Sequence, residues 1–227
     1  KPHINFLFAN EMKIDFTFSP GFEEHQHQFI QAGNFWSLFI KDERTVAIKV
    51  EASPSDGQGG LKASAAFNKV DESGLPITGV IAVDMSDMSR FAHFTETLVH
   101  ELGHALGIGT LWFSRKLLNH VSRTKVVFRG EKATAAFAAM PDGKSELLVE
   151  TGGGASSAFG HWCEQSYNKE LMTPEKDIGE HLAKFTIASL EDVGYQNIDY
   201  SLFDDPKLSK DGGHTIRVNK LLSLCKQ

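Results

Sequence analysis

The chain has 227 residues, of which 41% are hydrophobic and 23% charged, and its formal net charge is −6 at pH 7. These proportions are typical of a globular protein, and the length is sufficient for one large domain with a substantial core. The negative net charge, without a compensating cluster of Lys and Arg, argues against nucleic acid as the main partner. The sequence also contains no apolar run near the roughly 20 residues that a membrane-spanning helix requires.

The first half of the sequence predicts a mixed α/β lobe. Apolar and polar side chains alternate over residues 12–18 and again over 46–50, which is the period of a half-buried strand. Between these strands, apolar residues recur at helical spacing over 22–39, and Ser19-Pro20 is a typical start for such a helix. A short apolar run at 80–83 predicts a buried strand. The order strand, helix, strand, strand and helix is typical of an α/β unit.

Two carboxylates, Asp84 and Asp87, follow the predicted strand at 80–83. Calcium prefers carboxylate oxygens, which makes this pair a candidate calcium site. Two carboxylates in a loop are more often helix caps or solvated turn residues, and both interpretations stay open at this point.

The sequence His100-Glu101-Leu102-Gly103-His104 carries the clearest functional signal. On a helix, at about 100° per residue, His100 and His104 project from one face, one turn apart. The apolar residues of the same helix cluster on roughly the opposite side. Glu101 points between the two faces, beside the metal position. This is the zinc-peptidase arrangement of two ligands and a general base; the alternative is an amphipathic helix with two solvated histidines.

A catalytic zinc site usually has three protein ligands and one position for water, so a third ligand is expected further along the chain. Gly107 allows the sharp turn that would return the chain toward the metal. In the pattern HExxHxxGxxH, however, the third histidine position is occupied by Thr110. The other candidates for the third ligand are His120, His161, Glu150, Glu164 and Glu170.

The second half of the sequence predicts short elements separated by loops. A strand is expected at 126–128, a short Ala-rich helix at 131–140, a longer helix at 186–193 that ends at Gly194, and a strand at 215–218.

The sequence resembles the leishmanolysin family of metzincin zinc peptidases, in the shorter bacterial type. The resemblance rests on HELGHALGIGTLW at 100–112, GHW at 160–162 and ELMTP at 170–174, and it continues through 185–195. In that family an insertion separates the glycine from the third histidine, and a Met-turn follows. The three pieces have the same order in this chain.

The resemblance implies that His161 is the third zinc ligand, with His100 and His104, and that Met172 forms an apolar floor beneath the metal. It also implies an α+β, metzincin-like fold in a single catalytic domain covering residues 1–227. An upper lobe, about 1–108, would contain a twisted mixed sheet and two long helices. An irregular lower lobe, about 109–227, would close the site.

We therefore expect a zinc-dependent endopeptidase that acts on proteins or peptides as a monomer, with Glu101 as the general base. Extracellular location is expected from the resemblance alone, since residues 1–13 lack the layout of a signal peptide. The sequence departs from the protozoan members, which are rich in disulfides, because it has only Cys163 and Cys225. Their cell-surface anchoring is not carried over, and no tyrosine closely follows Met172 as a further ligand.

Two alternative functions are kept. One is a zinc-bearing binding or adhesion module without catalysis, in which the metal only joins two lobes. A structural zinc site is closed by a fourth protein ligand and does not need Glu101, so Glu101 favours the enzyme. The other is an HExxH peptidase in which a glutamate is the third ligand.

Overall fold

The computed structural model describes residues 11–54, 63–88, 93–141, 143, 146–154 and 157–225. These residues form a mixed α+β structure with several sheets, in agreement with the predicted fold class. Most of the segment inspected for a signal peptide lies outside the described residues, which begin at Glu11. None of the helices within the described ranges is long and apolar enough to cross a membrane.

A four-stranded mixed sheet organises the first half of the chain. Its strands are β1 Lys13–Phe18, β2 Thr45–Ala52, β3 Ala63–Val70 and β4 Pro76–Val83. Their spatial order is β1-β2-β4-β3, in which β1, β2 and β4 are parallel and β3 is an antiparallel edge strand. Val46, Ile48 and Val50 alternate inward from β2, as the sequence predicted.

Strand β3 was missed by the sequence analysis. Only Ala63 of this strand is buried, and the other side chains are half-buried or exposed. An edge strand with so few inward apolar residues does not show the alternation by which strands are recognised.

Two twelve-residue helices and one short helix accompany this sheet: α1 Gln26–Ser37, α2 Met85–Met88 and α3 Phe94–Ala105. The helices α1 and α3 pack against each other, and the indole N–H of Trp36 on α1 donates a hydrogen bond to the Val99 carbonyl at 2.9 Å. Phe29 makes edge contacts with Phe16, Phe18 and Phe94, which joins both helices to the sheet.

The predicted start of the first helix at Ser19-Pro20 was wrong. The helix begins at Gln26, because Gly21 has a left-handed φ of +100° that interrupts a continuous helix. The Glu23 carboxylate accepts the Gly21 N–H at 3.0 Å and stabilises this turn.

After α3, the chain makes an excursion away from the four-stranded sheet, and it later returns to contact α3. The excursion contains β5 Leu118–Ser122, β6 Lys125–Phe128, α4 Glu131–Ala138 and β7 Leu147–Val149. The strands form an antiparallel sheet in the order β5-β6-β7. The predicted strand at 126–128 and the Ala-rich helix are confirmed.

The remainder of the chain is built from short elements around one longer helix. They are α5 Glu164–Tyr167, β8 His181–Ala183, α6 Lys184–Val193, α7 Ser201–Asp204, β9 Ser209–Lys210, β10 Thr215–Arg217 and α8 Val218–Leu224. The strands form a sheet in the order β8-β10-β9. The Asp192 carboxylate on α6 accepts the backbone N–H groups of Lys132 and Ala133, both at 2.9 Å, and so caps α4. Buried apolar residues from both halves of the chain form one continuous cluster.

Two glycines turn the chain after α3 and allow the returning segment to approach. Gly107 and Gly109 have left-handed φ values of +112° and +76°. A Cβ atom on Gly109 would overlap with the carbonyl oxygen of Gly160, the residue that precedes His161. A side chain at position 109 would therefore push the segment that carries His161 away from the helix.

This close approach predicts that Gly109→Ala destabilises the fold far more than Gly154→Ala. Gly154 has a similar φ of +75° but open space around its Cβ position, so its substitution should reduce the free energy of unfolding by about 1–2 kcal/mol. Gly109→Ala adds the overlap with backbone and should reduce it by more than about 3 kcal/mol. Urea unfolding of both variants measures the difference, and equal losses would show that the approach at Gly160 is not a constraint.

Candidate metal centre

Three histidine side chains converge at one end of the helix α3. The Nε2 atoms of His100 and His104 are 3.0 Å apart, and those of His104 and His161 are also 3.0 Å apart. The Nε2 atoms of His100 and His161 are 3.2 Å apart. Ligands at zinc–nitrogen distances of about 2.0–2.1 Å in a tetrahedral site are separated by about 3.3 Å, so the triangle fits such an ion. Across the described ranges, it is the only group of three or more His, Cys, Asp or Glu residues placed to hold a metal.

Backbone carbonyls fix the orientation of all three rings. The Nδ1 atoms of His100, His104 and His161 lie 2.7, 2.9 and 2.9 Å from the carbonyl oxygens of Leu171, Ile108 and Ser157. A carbonyl only accepts, so each Nδ1 carries the proton and each Nε2 presents its lone pair to the centre of the triangle. This pattern of outer hydrogen bonds is typical of metal-binding histidines.

Burial keeps the three imidazoles neutral. It lowers the pKa of His100 well below its usual range, that of His104 to about 3, and that of His161 in the same direction. The neighbouring Lys176 charge acts in the same sense. Neutral imidazole is the form that binds a metal, so the local electrostatics suit the geometry.

Glu101 follows His100 directly on the helix α3 and is also buried, with 8% of the residue exposed. Burial raises the pKa of this carboxyl to about 8, opposed by the positive charge of Lys176 and by a hydrogen bond from the backbone N–H of Ala65 on β3. The carboxylate is thus held between the helix and the edge strand of the sheet.

Met172 packs directly beneath the helix. It is fully buried, and a Cβ atom on Gly103 would lie only 2.9 Å from its sulfur and 3.0 Å from the ring of Trp36. Glycine at position 103, between the two ligand histidines of the helix, therefore allows this contact. The Trp162 N–H donates to the Met172 carbonyl at 3.0 Å, which ties the His161 segment to the Met172 segment.

Glu170 fixes the backbone of that second segment. Its carboxylate accepts hydrogen bonds from the Met172 N–H at 2.7 Å, the Ala183 N–H at 3.1 Å and the Thr186 hydroxyl at 2.5 Å. Burial raises the pKa of Glu170 to about 7 against these three donors. Its oxygens are occupied within the protein and do not join the histidine triangle.

The other candidates for a third ligand also lie outside the triangle. Glu150 accepts backbone N–H groups of Thr151 and Gly152 in its own loop and that of Glu164. The His120 ring lies on β5 against Phe159, with 5.1 Å between ring centroids. Glu164 accepts the backbone N–H of Glu175.

Lys176 is a feature of the site that the sequence analysis missed. Its ammonium donates a hydrogen bond at 3.3 Å to the Leu171 carbonyl, the same carbonyl that accepts from His100, and lies 3.4 Å from the Glu180 carboxylate. The only signal in the sequence was its position shortly after ELMTP, and a single lysine there has no periodicity that predicts burial.

Asp84 and the two cysteines lie outside the histidine triangle. Asp84 accepts the backbone N–H and the hydroxyl of Ser86, at 2.8 and 2.7 Å, at the start of α2, which is a capping role. The calcium hypothesis stays a prediction. Cys163 and Cys225 are free thiols.

A sequence model of the leishmanolysin family matches residues 43–205. This range contains the helix α3, His161 and Met172. The chain belongs to the leishmanolysin family. The family is one of metallopeptidases, and the three-histidine cluster of this member fits a zinc site.

A curated relative gives a more distant match. The chain is 24% identical over 159 residues to a protein described as a leishmanolysin homolog, from Crithidia fasciculata. The match covers 64% of this chain but 24% of the relative, so the chain spans only about a quarter of that relative's length.

The hydrogen bonds of Glu170 predict that Glu170→Gln destabilises the protein by about 1–3 kcal/mol, because an amide N–H₂ would face a buried donor. Glu175→Gln, in the same segment but exposed, should change the free energy of unfolding by less than about 0.5 kcal/mol. Chemical denaturation of the two variants provides the comparison. Equal stability of both would mean that the carboxylate does not hold the Met172 segment.

Proposed function

We propose that this protein is a zinc-dependent endopeptidase. The observation that carries the proposal is the convergence of the Nε2 atoms of His100, His104 and His161 to 3.0–3.2 Å, on a helix in which the buried Glu101 directly follows His100. Membership of the leishmanolysin family supports it. A metal that only joined two lobes would give no reason to bury an ionisable carboxyl next to its ligands.

The proposed roles follow from the chemistry of each side chain. His100, His104 and His161 would hold the ion, and the chemistry that zinc supplies when bound is Lewis acidity toward water and a scissile carbonyl. Glu101 acts as the general base: a carboxylate oxygen takes the proton of the attacking water and passes it to the nitrogen of the leaving amine. The nearby Lys176 ammonium favours the carboxylate form of Glu101.

The finer assignments from the resemblance are part of the same proposal. Met172 would form the floor of the site as the methionine of a Met-turn, which its burial against Gly103 supports. Residues of about 1–108 and 109–227 would form the upper and lower lobes of one catalytic domain, with the peptide extended across the cleft. The substrates are proteins or peptides, and extracellular location stays a prediction.

Removal of the metal tests the proposal directly. The purified protein should contain one zinc per chain, and dialysis against a chelator should abolish its hydrolysis of casein. Added zinc should restore the activity. Full activity after the metal has been removed, as measured by elemental analysis, would contradict the proposal.

Glu101→Gln should retain zinc and the fold but reduce turnover by at least about 10²–10⁴-fold, the usual effect of losing a general base. Glu96→Gln is a matched control, since Glu96 is a buried glutamate on the same helix, paired with His93. This control should retain most of the activity. Near-normal turnover by Glu101→Gln, with zinc content measured in parallel, would exclude Glu101 as the base.

The third ligand can be identified by comparing two histidine variants. His161→Ala should weaken zinc binding by more than about 100-fold and abolish activity, because it removes one of three ligands. His120→Ala should leave zinc binding unchanged, because this ring lies against Phe159. Competition with a chromophoric chelator measures both affinities, and circular dichroism checks the fold. The reverse result would assign the third ligand to His120.

A further inference from the structure

A cavity of about 350 Å³ lies on the sheet β8-β10-β9, outside the metal centre. Basic side chains dominate its lining, which includes Lys169, His181, Lys210 and Arg217, together with Asp211 and Ile178. None of these residues has a role in the proposed peptidase mechanism.

The register of the strands places the basic residues on one face. Arg217 on β10 is paired with His181 on β8, and Thr215, two residues before Arg217, is paired with Lys210 on β9. Side chains two residues apart on a strand share a face, so these residues line the same side of the sheet. The His181 N–H donates to the Lys169 carbonyl at 2.9 Å, which adds Lys169 at the side of β8.

The cavity has an excess of positive charge in a chain whose net charge is −6. Among the residues that the structure describes, no carboxylate lies within ion-pair distance of Lys169, Lys210 or Arg217. Asp211, the acidic residue of the lining, accepts the Thr215 hydroxyl at 2.7 Å. Burial lowers the pKa of His181, and the charges of Arg217 and Lys169 lower it further while Asp211 opposes them. Three cationic side chains and the carboxylate of Asp211 thus line one concave site, which leaves an excess of positive charge there.

We propose that this cavity binds an acidic segment of the protein substrate through its carboxylate side chains. Arg217 can bind a carboxylate with two parallel hydrogen bonds, and the lysines add further donors. Ile178, 76% exposed at the same cavity, offers an apolar contact that suits a peptide better than a sugar or a nucleic acid.

One backbone segment connects this cavity with the metal centre. Leu171 lies two residues after Lys169. The Leu171 N–H donates a hydrogen bond to the His181 carbonyl at 2.8 Å, and the Leu171 carbonyl accepts one from His100. An acidic segment bound in the cavity would therefore be held at a fixed position relative to the metal ligands. The role as a second contact for substrate rests on the proposed peptidase function, whereas binding of an acidic peptide does not.

Binding is measured with a fluorescent peptide that contains several Asp and Glu residues next to Leu and Ile, on the Glu101→Gln protein to prevent hydrolysis. The test variant is Lys169→Gln/Lys210→Gln/Arg217→Gln, in which all three changed residues are exposed. The control variant, Lys116→Gln/Arg123→Gln/Lys132→Gln, removes the same charge at exposed positions outside the cavity lining.

The test variant should bind the peptide at least about tenfold more weakly, whereas the control should bind like the parent. A peptide with Asn and Gln in place of Asp and Glu should bind the parent weakly, and increasing salt should weaken binding of the acidic peptide. Equal loss in both triple variants, or tighter binding of a sulfated oligosaccharide than of the peptide, would overturn the proposal.

Hydrolysis separates this proposal from the peptidase function. In otherwise unmodified enzyme, the test triple substitution should raise KM for an acidic protein substrate and leave kcat unchanged. If the protein hydrolyses no substrate but loses peptide binding in the test variant, the cavity is supported and the peptidase function fails. If hydrolysis occurs and both triple variants bind the peptide equally, the cavity proposal fails alone.

Discussion

The hydrogen bonds at the Leu171 carbonyl connect the helix α3 to the segment that contains Met172, and the arrangement of the three histidines depends on this connection. The carbonyl accepts a hydrogen bond from His100 on the helix at 2.7 Å and one from Lys176 at 3.3 Å, and its position is set by the carboxylate of Glu170 below it. Close to the same helix, Gly109 meets Gly160 with no room for a side chain. The third histidine reaches the first two only because these two contacts hold the returning chain against α3.

The site is therefore a cluster of polar side chains whose hydrogen-bond partners are mostly backbone groups. Each Nδ1 of the three histidines has a carbonyl partner, and Glu170 has three donors. Buried polar groups that are fully hydrogen-bonded hold a single arrangement, because any displacement leaves one of them unpaired. The same backbone segment is hydrogen-bonded to β8, a strand of the sheet that lines the basic cavity, so the cavity and the three histidines are connected through one segment.

The sequence predicted what depends on local pattern. The face shared by His100 and His104, the alternation in β2 and the end of α6 at Gly194 all follow from short-range geometry. It failed at the edge strand β3, which has little apolar signal, and at the start of the first helix, which the left-handed backbone of Gly21 delays. The choice of His161 over His120 needed the family resemblance, because 57 residues separate His104 from His161. The position of Lys176 beside the carbonyl partner of His100 had no periodic signal in the sequence.

The most direct test of this account is X-ray absorption at the zinc edge of the metal-loaded protein. The account predicts three imidazole nitrogens at about 2.0–2.1 Å and one further light atom, with no sulfur ligand. Two imidazoles in place of three, or a sulfur atom at about 2.3 Å, would show that the returning chain does not bring His161 to the metal and would contradict the account.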